Sequence, residues 1–243
     1  MYGGLPVART PSRTTKKKES PGKGGDRFRW KEENLDRDMQ FKLRREALLR
    51  TAARAFKEIG YHDTSVEELA RRLNVTKPTL YYYIKDKDEI LFECQRLAFE
   101  YIKDTLDEAQ SNDLNGLQKL NRFLPRYAGL MTSDFGACLI RTGLRPLKPE
   151  SRETLENLAR QLDITMRTMI DSGIRDGSIR PCNAKLAAFA IFGGYQGIAQ
   201  WFSEDGTFSL EEISEAFASI YLHGLATSGE EVRMRTAKDR ASA

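Results

Sequence analysis

Apolar residues in this chain recur every three or four positions, and helix caps rather than hairpin turns punctuate the recurrence. Phe41, Leu48, Leu49, Ala52, Ala53, Phe56 and Ile59 form one such stripe, the spacing that places side chains on one face of a helix and on both faces of a strand. Gly60 follows where a helix would end in a left-handed residue. Ser65-Val-Glu-Glu68 and Ser209-Leu-Glu-Glu212 each set a hydroxyl three residues before a carboxylate, the pattern of a capping box. No strand-length alternating run is bounded by hairpin dipeptides. The expected class is therefore all-α, with helices near 41–59, 65–73, 76–84, 88–110, 113–131, 134–142, 150–176, 183–203 and 209–226.

Both ends have a different composition. Residues 1–38 are rich in Pro, Gly, Ser, Thr and Lys, including Arg13-Thr-Thr-Lys-Lys-Lys18, and cannot bury enough apolar surface to offset chain entropy. A disordered basic tail is expected there, with a second disordered tail over 228–243. Between them the sequence suggests a DNA-binding domain over 39–88 and a helical domain over 89–227. Residues 1–38 hold 10 Lys and Arg against 6 Asp and Glu, residues 39–88 hold 11 against 7, and residues 89–243 hold 18 against 22. A basic front and a mildly acidic back fit a front that meets a polyanion, although a solvated lysine-rich tail gives the same charge balance.

The break between the second and third helices carries the functional signal. Asn74 tolerates the left-handed conformation, Thr76 can cap a new helix, and Pro78 falls in its first turn, where a missing N–H costs little. Helix, three-residue break and helix over Ser65–Ile84 have the spacing of a helix-turn-helix, whose second helix enters the major groove. With Val75, Leu80 and Ile84 facing the core, Lys77, Pro78, Thr79, Tyr81, Tyr82 and Tyr83 are left toward DNA. Lysine serves phosphate or guanine, tyrosine hydroxyls serve phosphate oxygens, and Pro and Thr carbons suit a thymine methyl.

Thr64-Ser65-Val66, Leu69-Ala70, Val75-Thr-Lys-Pro-Thr-Leu-Tyr-Tyr-Tyr-Ile-Lys-Asp-Lys87 and Ile90-Leu91 resemble the DNA-binding signature of TetR-family transcriptional regulators. The resemblance places Thr64 and Ser65 at phosphate contacts, Lys77, Pro78 and Thr79 at the base-facing start of the third helix, Tyr81 on the family's tyrosine and Lys87 on its phosphate-binding lysine, with the capping Thr76 also counted to the DNA-binding surface. Two positions depart: Asn74 stands where glycine is usual and Ile84 where phenylalanine is common. It further implies a homodimer on double-stranded operator DNA, with a ligand pocket in the back domain and the last two helices as dimer interface. Ala190, Gly193, Gly194 and Gly197 would then allow close helix approach, with Phe217, Ile220 and Tyr221 in the seam; an internal helix pair is the other reading of these residues.

A small-molecule effector would lie between the fourth and seventh helices, against Phe92, Phe99, Phe123, Tyr127, Met131, Phe135, Cys138 and Met166, residues that equally fill a plain core. Arg122 with Arg126, and Arg141 with Arg145, stand one helical turn apart and could clamp an anionic head such as that of an acyl-CoA, or form surface ion pairs. No nucleophile stands with a base, and no phosphate loop or zinc-protease motif occurs, so no enzyme activity, catalytic residue, cofactor or metal is expected. Three scattered cysteines and no apolar leader suggest the cytoplasm, and the most apolar stretch, 186–202, falls short of a membrane span. The rival reading is a nucleoid-type DNA-binding protein, or an activator, without an effector.

Overall fold

The structure is a computed structural model that describes residues 25–227, with side chains from residue 37. Nine helices and no strand stand among these residues: α1 Gly25–Ile59, α2 Val66–Arg72, α3 Lys77–Tyr81, α4 Lys87–Ala109, α5 Gly116–Thr132, α6 Asp134–Thr142, α7 Pro149–Asp176, α8 Ala184–Trp201 and α9 Leu210–Leu225. The chain divides into two units at Lys42. The described part of the first is the leading stretch of α1; the rest of α1 and all later helices belong to the second.

One expectation is corrected at once. Residues 25–38, expected in a disordered tail, are helical. After Gly25 there is no glycine or proline before Gly60, and the segment consists largely of good helix formers, so propensity carries the helix N-terminal of the apolar stripe. The remaining tail residues, 1–24 and 228–243, lie outside the described residues.

Local chemistry fixes the helix ends. Gly60, at φ 90°, closes α1, and its N–H donates to the Phe56 carbonyl at 3.2 Å. Ser65 caps α2 by accepting from the Glu68 N–H. The expected reciprocal half of that box does not form, because the Glu68 carboxylate instead accepts from Arg71 and Arg72. At Ser209 both halves form. Thr76 and Asp86 cap α3 and α4. Asn74, at φ 53°, is the described non-glycine residue in the left-handed region and makes the bend between α2 and α3. The third helix is shorter than expected: Tyr83 and Ile84 donate back to the Leu80 carbonyl, a tight turn that ends the helix at Tyr81.

A single apolar core runs from α1 to α9. Central to it is α5, which packs against α4, α6, α7, α8 and α9. Gly116 lets α5 cross α7 closely, since a Cβ there would stand 2.2 Å from the Gly173 Cα. The helix-turn-helix is tied to the rest by polar contacts at the start of α4. Asp88, buried, accepts from the Lys148 N–H at 2.8 Å and the Ser151 hydroxyl at 3.0 Å. Beside it, Asp86 pairs with the Lys148 ammonium at 2.6 Å. Arg54 of α1 reaches Asp134 at the start of α6 at 3.0 Å.

Candidate functional site

Burial separates the two faces of α3. Leu80, at 1% exposure, anchors the helix, while Lys77, Pro78, Thr79, Tyr81 and Tyr82 are exposed and Tyr83 is half-buried with its ring edge-on to Tyr82. Val75, expected inward with Leu80 and Ile84, is exposed: the left-handed Asn74 turns the next residue outward. Thr76 and Thr79 hold each other through their hydroxyls at 2.8 Å. The Lys77 ammonium contacts the Glu67 carboxylate of α2, and this partner holds the Glu67 carboxyl below its usual range.

Two flanking residues are placed differently from one another. Ser65 is exposed at the head of α2. Thr64 is fully buried, its hydroxyl donating to the Gly60 carbonyl at 2.7 Å, so the phosphate contact expected of it is corrected to a role in closing the α1–α2 turn. Lys87, at the start of α4, lies 4.2 Å from the centre of the Tyr61 ring and donates to the His62 carbonyl at 3.3 Å. Partial burial lowers its pKa, an effect opposed by the nearby Asp63 carboxylate. The exposed side chains thus form one polar and aromatic surface that carries amine and hydroxyl donors.

A second feature lies in the back. A cleft of about 290 Å³ is walled by Phe99 and Ile102 of α4, Tyr127 of α5, Ala159, Leu162 and Asp163 of α7, and Phe189, Phe192, Gly193 and Gln196 of α8. That volume sits at the small end for ligand sites, and the mostly apolar wall with a few polar groups is their usual character. Gln196 reaches toward the Tyr127 hydroxyl at 3.5 Å. Arg167 and Lys185, outside the lining, approach the ring of its Phe189 to 5.6 and 5.7 Å, Arg167 also pairing with Asp163.

Of the residues expected at a ligand, Phe99 and Tyr127 border this cleft, while the others stand elsewhere. Phe123, Met131, Cys138 and Met166 are fully buried in the core, and burial pushes the Cys138 thiol up to about 12. Phe135 lies beneath the Arg50 guanidinium. Arg141 donates from Nε to the Ala199 carbonyl at 2.9 Å, at the end of α8. Arg122 and Arg126 are exposed, with Arg126 paired to Glu108. The α8 wall residues were not anticipated, although Phe189, Gly193 and Gln196 follow helical spacing; their apolar stretch reads as core.

The outer side of α8 and α9 exposes large apolar residues alongside the charged Lys185, Glu211, Glu212 and Glu215. Leu186, Phe189, Trp201, Phe208 and Ile220 are each more than half exposed, and Ala190 and Gly193 lie among them. Gly194 and Tyr221, expected in the seam between subunits, meet within the chain: the Tyr221 hydroxyl donates to the Ala190 carbonyl at 2.8 Å and occupies the space a Gly194 Cβ would need. Phe217 and Gly197 are half-buried, Phe217 packing on Tyr195 and Trp201. No helix of the described residues is long and apolar enough to cross a membrane.

Residues 48–94 match the family model described as bacterial regulatory proteins, tetR family. Residues 113–225 match the one described as tetracyclin repressor-like, C-terminal domain. The uncharacterized HTH-type transcriptional regulator YhgD of Bacillus subtilis (strain 168) is 24% identical over 189 residues, 76% of this chain and 98% of that protein. The crystal structure of the TetR-family regulator PfmR from Thermus thermophilus shares the fold with a TM-score of 0.67 at 28% identity, over 72% of this chain and 97% of that one. That of AibR in complex with isovaleryl coenzyme A and operator DNA gives 0.66 at 25% identity, over 73% and 97%. With a helix-turn-helix at the front, a helical domain behind it and both parts matched, the chain belongs to the TetR family of DNA-binding transcriptional regulators.

Proposed function

We infer that the protein is a one-component cytoplasmic repressor that acts as a homodimer on a palindromic operator and lets go when a small hydrophobic effector fills the cleft. The observation that carries this reading is the double use of α8. Its Phe189, Phe192, Gly193 and Gln196 wall the cleft, while Leu186, Phe189 and Trp201 expose apolar surface that one subunit leaves uncovered. Exposed apolar area of this kind marks an association surface, and a second copy placed on it covers both sets. An effector in the cleft then touches the helix that sets subunit geometry, and so the distance between the two copies of α3.

On DNA, Lys77, Pro78, Thr79 and Tyr81 meet the groove. Ser65, Tyr82, Tyr83 and Lys87 serve the flanking phosphates, and Thr76 caps the helix that presents them. An acyl-CoA suits the cleft as effector: its acyl chain matches the apolar wall, and Lys185 and Arg167, beside the lining residue Phe189, suit its anionic part. The AibR complex with isovaleryl coenzyme A and operator DNA, at 25% identity, supports both the effector class and the DNA target.

The test is selection of bound sequences from random duplex DNA with the full chain, followed by titration of isovaleryl coenzyme A with and without the recovered site. A palindromic site, and a ligand affinity weakened by the same factor by which ligand weakens operator binding, are expected. A site without two-fold symmetry contradicts the dimer on DNA. One ligand affinity in both conditions contradicts the allosteric part, because a ligand shifts an equilibrium only through its differential affinity.

A further inference from the structure

One carboxylate stands where the surface that meets DNA would be expected to carry none. Glu67, in the first turn of α2, is solvent-exposed, its side chain 62% accessible. Glu67 and Arg71, one turn apart, are the exposed residues of α2, whereas Leu69 and Ala70 are buried. The Lys77 ammonium, in contact with it, belongs to the first residue of α3 and is that helix's only cation. Neither group has a structural duty. The pair is exposed on both sides, and pairs of that kind contribute little to stability. Facing phosphates, an isolated carboxylate weakens binding by repulsion, so Glu67 is useful there only if it meets a donor.

The edge of a G·C pair in the major groove presents a matching array. Guanine offers O6 and N7 as acceptors, and across the pair cytosine offers the N4 amine as donor. Guanine O6 and cytosine N4 are hydrogen-bonded to one another and therefore stand about 3 Å apart, the same scale as an ammonium and carboxylate in contact. A lysine held beside a glutamate thus lays a donor against O6 and an acceptor against N4 in one placement. An A·T pair inverts the pattern and would set ammonium against amine and carboxylate against carbonyl, while a T·A pair keeps the order but offers the ammonium a methyl group where guanine adds N7 as a second acceptor.

We propose that Glu67 and Lys77 read one G·C base pair as a unit, Lys77 donating to guanine and Glu67 accepting from the cytosine amine. Glu67 is then a specificity-determining residue of α2, and its contact with Lys77 in the free protein holds the two side chains in the reading arrangement before DNA arrives. The proposal needs neither the dimer nor the effector.

The experiment is selection from random duplex DNA by the full chain, by Glu67→Ala and by Lys77→Ala, with melting curves for all three. Wild type should enrich a G·C pair at one position beneath the start of α3. Each variant should lose that preference by about tenfold, at the same position and with the rest of the site unchanged. Glu67→Ala should at the same time bind random duplex more tightly, and Lys77→Ala less tightly. Melting temperatures should stay together, since the pair is exposed. Retention of the full G·C preference in Glu67→Ala overturns the proposal, as does relaxation at different positions in the two variants, or a wild-type site with no G·C preference there. If wild type recovers only unselected DNA, sequence-specific reading as a whole fails, an outcome distinct from the loss of this one position.

Discussion

The two short helices of residues 66–81 and the long helices behind them are held by different means. α2 and α3 have seven and five residues, and between them bury Leu69, Ala70 and Leu80. Caps at Ser65 and Thr76, a left-handed Asn74 and a few core anchors fix their path, which leaves most of their side chains free to carry chemistry. By contrast α4 and α7, at 23 and 28 residues, bury long apolar stripes. There the same residue types fill core, cleft and outer face, and tertiary placement alone decides which. In the front, function sits on side chains the fold does not need; in the back it shares residues with the fold.

The largest effect that probes this contrast is loss of the one anchor of the recognition helix. Leu80→Ala should destabilise the chain by about 2–5 kcal/mol and loosen α3, read as a lowered melting temperature with a disproportionate loss of DNA binding. A loss below about 1 kcal/mol would mean that α3 is held by something other than its core contact. In the back, Gly116→Ala would drive a Cβ into the Gly173 backbone and should cost about 1–3 kcal/mol. The same change at Gly193, inside α8 where a Cβ meets nothing within 4 Å, should raise melting slightly, by the helix preference of about 0.5–1 kcal/mol for Ala over Gly, and serves as its control.

Smaller effects separate outer face from core. Ile220→Glu, at a residue 68% exposed, should leave helix content intact and raise the dimer dissociation constant by about tenfold or more in sedimentation, the scale of a buried interface anchor. An unchanged assembly state would remove α9 from the interface. Tyr81→Phe deletes a hydroxyl from a side chain 46% exposed. It should weaken operator binding by about 0.5–1.5 kcal/mol, with melting unchanged.

Smallest is an acid effect at the junction of the two regions. Lys148 holds the Asp86 carboxyl below its ordinary value. Asp86 therefore contributes stability that is fully present above about pH 4 and is lost as pH falls through its depressed value. Lys148→Met should move that acid limb upward at a cost of less than about 1 kcal/mol, because the pair is solvent-exposed.

Legibility in the sequence follows the same division. Caps, Gly60 and the three-residue break are local signals, and they mark the end of α1 and the bounds of α2 and α3 to within a few residues, whereas the start of α1, which carries no such signal, lies well before the apolar stripe. Where local reading erred there, a neighbour was the cause. Thr64 is buried by the Gly60 turn, Val75 is swung outward by Asn74, and Glu68 is drawn from its capping box by two arginines. In the back, periodicity identified helices but could not apportion their apolar residues. Phe123 and Tyr127 stack on one another in α5 with the same helical spacing, yet only Tyr127 borders the cleft. Arg141 carried the charge expected of an anion clamp and is spent on carbonyls at the end of α8. Glu67 is silent in the sequence because an acid beside a helix-turn-helix gives no attractive signal until its lysine partner is in place.

The most direct test of the account is the affinity ratio of the full chain for its selected duplex over a scrambled duplex of equal length, at near-physiological salt. A chain that reads sequence with the exposed face of α3 should prefer its site by roughly 10³ or more. Equal affinity for the two duplexes would contradict sequence-specific recognition by that face and reduce the interaction to attraction between a basic front and a polyanion.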